Sequence, residues 1–233
     1  LHKAIRRQRQ MCIRDRSSGV TIVAQDGTAN ILSDTETNND DSYPDNTDAE
    51  NAVIKCKDGS QVTLCGSGSL TVYGRGWRSA TLDMFIPGTL TVEYDDPDGG
   101  AVLKTDEGTE GAAICANVTL DNGVLRATGP DFASADDGSS VGLRGRLTTH
   151  GSSVEAQLTA RTGYASYGLY FDKQGSGRGD TWTMGLGKVT AAAGHALSNY
   201  SYGLYVDYSS VNALELDGTQ LTAMGGESDQ YGS

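Results

Sequence analysis

The chain has 233 residues, of which 37% are hydrophobic and 7% aromatic, and it carries a formal charge of −12. So acidic a chain argues against nucleic acid or an anionic membrane as a partner held by charge, and it favours cations. No apolar run is long enough to cross a bilayer as a helix. With 31 glycines against 4 prolines, short alternating runs of Thr, Ser and Val, and no amphipathic helix pattern beyond the first few residues, the composition suits many short strands joined by glycine turns.

Residues 1–16 stand apart. They hold Lys3, Arg6, Arg7, Arg9, Arg14 and Arg16 against Asp15, so that the remainder has 12 basic and 29 acidic residues and a charge of −17. Met11-Cys12-Ile13-Arg14-Asp15 resembles the translated end of a sequencing adaptor, and residues 1–19 are set aside as an artefact or leader outside the fold. The alternative is a basic arm that binds a membrane or nucleic acid. Residues 20–233 are expected to form one domain, cut short at both ends.

Val20-Thr21-Ile22-Val23-Ala24 is the first expected strand, ending at the Asp26-Gly27 turn. The stretch from Asp34 to Glu50 has seven acidic residues, no basic one and no periodic apolar pattern, which makes it a loop. Hard cations such as calcium need six to eight oxygen ligands, so Asp40, Asp41, Asp45, Asp48 and Glu50 are the candidate metal ligands. Their spacing matches no calcium motif, and a solvated charged loop is the other reading.

Between Asn51 and Gly74, three short apolar runs (Ala52, Ile54 and Cys56; Val62 and Leu64; Leu70 and Val72) are separated by tight turns. That is the make-up of one turn of a parallel β-helix. Asn30-Ile31-Leu32-Ser33-Asp34, Asn51-Ala52-Val53-Ile54-Lys55-Cys56-Lys57-Asp58, Val62-Thr63-Leu64 and Gly66-Ser67-Gly68-Ser69-Leu70-Thr71-Val72 together resemble a carbohydrate-binding β-helix family of secreted proteins from cellulolytic and gut bacteria. The resemblance covers about residues 20–74. It implies a right-handed parallel β-helix that binds acidic polysaccharide with calcium assisting. Gly76 to Pro87 departs from the family pattern, and its register stays open.

The triplet Leu70-Thr71-Val72 is rewritten at Leu90-Thr91-Val92, Leu125-Arg126-Ala127, Leu158-Thr159-Ala160, Val189-Thr190-Ala191 and Leu221-Thr222-Ala223, at steps of 20, 35, 33, 31 and 32 residues. Such a period suggests a solenoid in which each coil buries its apolar face against its neighbours. The expected fold is all-β, a β-solenoid of about six coils with the first and third residues of each triplet inward.

Ser166-Tyr167-Gly168-Leu169-Tyr170-Phe171-Asp172 and Ser201-Tyr202-Gly203-Leu204-Tyr205-Val206-Asp207 repeat 35 residues apart. As matching strands of adjacent coils they would set Tyr170 beside Tyr205 as an outward aromatic step, with Asp172 beside Asp207. A flat ring with a polar edge suits the apolar face of a sugar, so these four residues are the candidate carbohydrate contacts. Two carboxylates one step apart repel unless a cation separates them or both face water. The other reading is that the tyrosines only cover neighbouring loops.

Catalysis has little support. His150 and His195 lie in no nucleophile motif, and a glycosidase carboxylate pair cannot be singled out among 30 acidic residues. With Cys12 set aside, Cys56, Cys65 and Cys115 form neither a disulfide framework nor a zinc pattern, and small buried apolar roles are expected of them. The function expected is non-catalytic, calcium-assisted binding of a polysaccharide, acidic as the resemblance implies, by a secreted or cell-surface protein that is a monomer or part of a longer chain. An adhesin-like stalk is the first alternative and a polysaccharide lyase or hydrolase the second.

Overall fold

The computed structural model describes residues 19–33, 53–55, 61–74, 76–94, 110–135, 138–171, 181–206 and 213–230. Among them the regular structure is entirely β, and every strand pairing is parallel. The strands are β1 (Val20–Val23), β2 (Ala29–Ser33), β3 (Ile54–Lys55), β4 (Gln61–Cys65), β5 (Ser69–Gly74), β6 (Trp77–Tyr94), β7 (Glu110–Thr128) and β8 (Ser139–Arg144). They continue with β9 (Leu147–Thr149), β10 (Glu155–Thr159), β11 (Ser166–Phe171), β12 (Thr181–Met184), β13 (Gly187–Ala192), β14 (Ser201–Val206), β15 (Ala213–Leu216) and β16 (Thr219–Met224).

The pairings fall into three ladders. The first joins β3, the start of β6, the start of β7, β8, β11 and β14. The second joins β1, β4 and the middles of β6 and β7 to β9. The third joins β2, β5, the ends of β6 and β7, β10, β13 and β16. Strands β12 and β15 form a separate pair, tied to β9 where the Gly185 N–H donates to Thr149 O at 2.8 Å and Trp182 Nε1 donates to Leu147 O at 2.5 Å. From β3–β4–β5 to β14–β15–β16 the chain visits the three positions in the same order, and β6 and β7 bend through all three without a break.

Alternation of side chains along a strand explains which residues turn inward. On the third ladder Leu70, Leu90, Leu125, Ala156, Val189 and Leu221 are register partners, as are Val72, Val92, Ala127, Leu158, Ala191 and Ala223. The expected triplet Leu158-Thr159-Ala160 is therefore displaced by two residues: Leu158 stands level with Ala127, and Ala156 with Leu125. The shift preserves the inward parity, which is why sequence spacing could not detect it. Residues from all three ladders, among them Trp77, Val62 and Leu70, meet in one apolar cluster. The stretch whose register was open is fixed by Trp77, which is buried and pairs with Ile54 and Ile114, and by Leu82, which pairs with Val62 and Val118.

A column of buried serines stitches the first ladder to the turns after the third. Ser140, Ser166 and Ser201 are register partners, all buried. Ser140 Oγ donates to Pro130 O (2.6 Å) and accepts from the Arg161 N–H (2.8 Å). Ser166 Oγ donates to Arg161 O (3.0 Å) and accepts from the Gly194 N–H (2.7 Å). Ser201 Oγ donates to Gly194 O (2.7 Å) and accepts from the Gly226 N–H (2.8 Å). Each hydroxyl thus satisfies a carbonyl of one turn and an amide of the next. An unsatisfied buried backbone group costs about 1–3 kcal/mol, so Ser166→Ala, which orphans two, is expected to lower stability by about 2–4 kcal/mol. Urea unfolding of the variant and its parent checks this.

Candidate functional site

Strands β11 and β14 run in parallel register, with Tyr167 level with Tyr202 and Tyr170 level with Tyr205. In a regular strand residues three apart face opposite ways. Here the rings of Tyr167 and Tyr170 stack, with centroids 5.1 Å apart and planes at 22°, so both project from the same face. The glycine between them is the cause. A Cβ on Gly168 would lie 2.5 Å from Ala192 N, 2.8 Å from Ala191 C and 2.8 Å from Gly203 O, all backbone atoms. Gly142 and Gly203 meet the same obstruction one strand either side, from Thr159 and Met224. The first ladder therefore presses against the end of the third at this column, and only glycine fits. Gly168 and Leu169 both turn inward, where both are buried, and the tyrosine on each side turns out.

The result is a continuous set of rings. Tyr167 and Tyr202 stack at 6.2 Å, Tyr202 and Tyr205 at 5.7 Å, and Tyr200 and Tyr202 at 5.5 Å. Tyr170 and Tyr205 lie 5.2 Å apart and Tyr167 and Tyr205 5.5 Å apart, tilted at 48° and 51°. Arg144, the register partner of Tyr170 on β8, holds its guanidinium 5.5 Å from the Tyr170 ring centre, within cation–π range. Behind the set, Phe171 stacks on Trp182 at 4.7 Å, both buried, so the strand that carries the rings is anchored in the core. The surface offers aromatic area, phenolic hydroxyls and the Arg144 guanidinium on a parallel ladder.

The expected step from Tyr170 to Tyr205 is present in the register. Asp172 and Asp207 lie outside the described residues, as do Asp40, Asp41, Asp45, Asp48 and Glu50. Among the described residues no group of three or more His, Cys, Asp or Glu side chains could hold a metal. Cys65 and Cys115 are half-buried, Cys65 packing against the apolar cluster, and Cys56 lies outside the described residues. His195 pairs with Asp229 at 2.9 Å on the surface, and His150 is exposed.

Sequence reading overlooked Tyr167, Tyr200, Tyr202 and Arg144. One signal was available. Ser140-Val141-Gly142-Leu143-Arg144 is a third copy of the Ser-x-Gly-Leu pattern at Ser166 and Ser201, and aligning the three puts Arg144 in the column of Tyr170 and Tyr205.

A family model described as carbohydrate-binding domain-containing protein matches residues 6–93. The match supports carbohydrate binding; it runs from β1 into β6 and ends before β11 and β14. No curated protein and no solved structure matches the chain.

Proposed function

We propose that residues 20–233 form a right-handed parallel β-helix of about six coils that serves as a non-catalytic polysaccharide-binding module of a secreted or cell-surface protein. The single observation that carries this reading is the tyrosine set of β11 and β14 with Arg144 at its edge. Rings held in place by register and core packing lose little entropy on binding. They present the apolar area and polar rims that a sugar chain needs. The family match at the other end of the chain points to the same class of ligand.

The polysaccharide proposed is acidic and calcium assists its binding. A protein with a formal charge of −12 repels a polyanion unless counter-charge lies between them, and a divalent cation with oxygen ligands supplies it. Asp172 and Asp207, which follow the paired strands in sequence, and the acidic stretch from Asp40 to Glu50 are the residues proposed to hold it. Retention on immobilised polygalacturonate, with and without chelator, tests this. Retention is expected to fall at least tenfold on chelation and to return with calcium, and no unsaturated or reducing ends are expected to be released. Retention indifferent to the chelator would remove calcium from the reading. No retention on any polysaccharide would leave a structural stalk.

A further inference from the structure

The outer rim of the third ladder carries a second constellation, on strands that the tyrosine set does not occupy. Tyr73, Glu93, Thr128 and Thr159 are successive register partners, so their side chains rise in one outward column at about 4.8 Å per step. Arg161, two residues beyond Thr159, reaches along this column, and its Nη2 meets Glu93 Oε1 at 2.6 Å. Tyr73 is 39% exposed, and the Arg161 and Glu93 side chains are 34% and 41% exposed.

The backbone under Arg161 is held from both sides. Its N–H donates to buried Ser140 and its carbonyl accepts from buried Ser166. An ion pair this exposed adds little to folding, and ordering two long side chains costs entropy. Stability is therefore a weak reason for the pair. A ligand that uses both its donors and its acceptor is a stronger one.

We infer that Tyr73, Glu93 and Arg161 form a separate contact site for an uncharged oligosaccharide. The inference rests on the reading of the chain as a carbohydrate-binding module. A tyrosine ring offers area to a sugar face. A carboxylate beside a guanidinium offers acceptors and donors in adjacent positions, which matches neighbouring hydroxyls of a pyranose. The pair is neutral as a unit. A uronate entering there would compete with Glu93 for the guanidinium and meet like charge, so the site favours neutral sugars where the tyrosine set is proposed to take acidic ones. Arg126, level with Thr91 and Gln157 in the adjacent column, adds a donor at the edge. Tyr73 and Glu93 lie within the matched residues 6–93, and Arg161 joins them from a later strand.

Calorimetric titration of the full chain with cellohexaose, xylohexaose, mannohexaose and a galacturonate hexamer tests the site. The parent is expected to bind at least one neutral hexamer. Tyr73→Ala and the isosteric Glu93→Gln are each expected to weaken that binding about tenfold, while Tyr170→Ala with Tyr205→Ala leaves it unchanged. Binding of the galacturonate hexamer with no neutral hexamer bound overturns the inference and leaves the carbohydrate reading standing. Neutral binding that survives both Tyr73→Ala and Glu93→Gln also overturns it. Failure of all four probes overturns the inference together with the reading on which it rests.

Discussion

Replacing Tyr170 and Tyr205 together by alanine is expected to lower retention on polygalacturonate by about 30-fold or more. Buried or half-buried aromatic anchors in an interface each contribute roughly 1 kcal/mol or more, and 1.4 kcal/mol is a tenfold change in affinity. These two rings are register partners with centroids 5.2 Å apart, so removing both takes adjoining area from the set and leaves Tyr167, Tyr200 and Tyr202. The folded state loses ring contacts at a half-exposed surface, each worth about 0.5–1.5 kcal/mol, so the melting temperature should fall by a few degrees and the far-ultraviolet circular dichroism should be unchanged. The doubly substituted Tyr→Phe protein keeps the ring area and is expected to retain binding within about threefold. Unchanged retention in a folded double alanine variant removes the tyrosines from the site.

The second large effect is on the backbone device behind those rings. Gly168→Ala is expected to destabilise the protein by about 3 kcal/mol or more, since the new methyl group meets three backbone atoms at 2.5–2.8 Å and none of them can rotate away. For a chain of this size that is a fall of about 6–12 °C in melting temperature. Any accommodation must push β11 away from the end of β13, which also separates Tyr167 from Tyr170 and so reduces glycan retention. Gly27→Ala is the control. Gly27 has a φ of +68° and nothing within 4 Å of an added Cβ, so the only penalty is that of the left-handed backbone, about 1–2 kcal/mol. A Gly168→Ala protein as stable as the Gly27→Ala protein would mean that the first ladder does not press on the third.

Much of the architecture follows from side-chain alternation, and alternation is visible in one dimension. Leu70-Thr71-Val72 and its later copies announce strands with two inward residues and one outward, and their repeat at intervals of 20 to 35 residues requires neighbours to cover one another. The same rule fails where it should fail. It matched Leu158 to Leu125 where Ala156 is the partner, because a two-residue slip leaves every side chain on its own face. Strict alternation would also put Tyr167 and Tyr170 on opposite faces, because it takes no account of a strand bent at a glycine.

The chain by itself determined that this is an acidic, glycine-rich, all-β protein whose apolar residues are spaced to be shared between successive strands, and that Tyr170 belongs beside Tyr205. These are consequences of composition and of the two-residue period, which act locally. Only the tertiary structure decided that Tyr167, Tyr200 and Tyr202 join them, that buried serines link one turn to the next, and that Arg161 reaches Glu93 across 68 positions of sequence. Those facts depend on how closely segments distant in sequence approach one another in space, which no periodicity of side chains encodes.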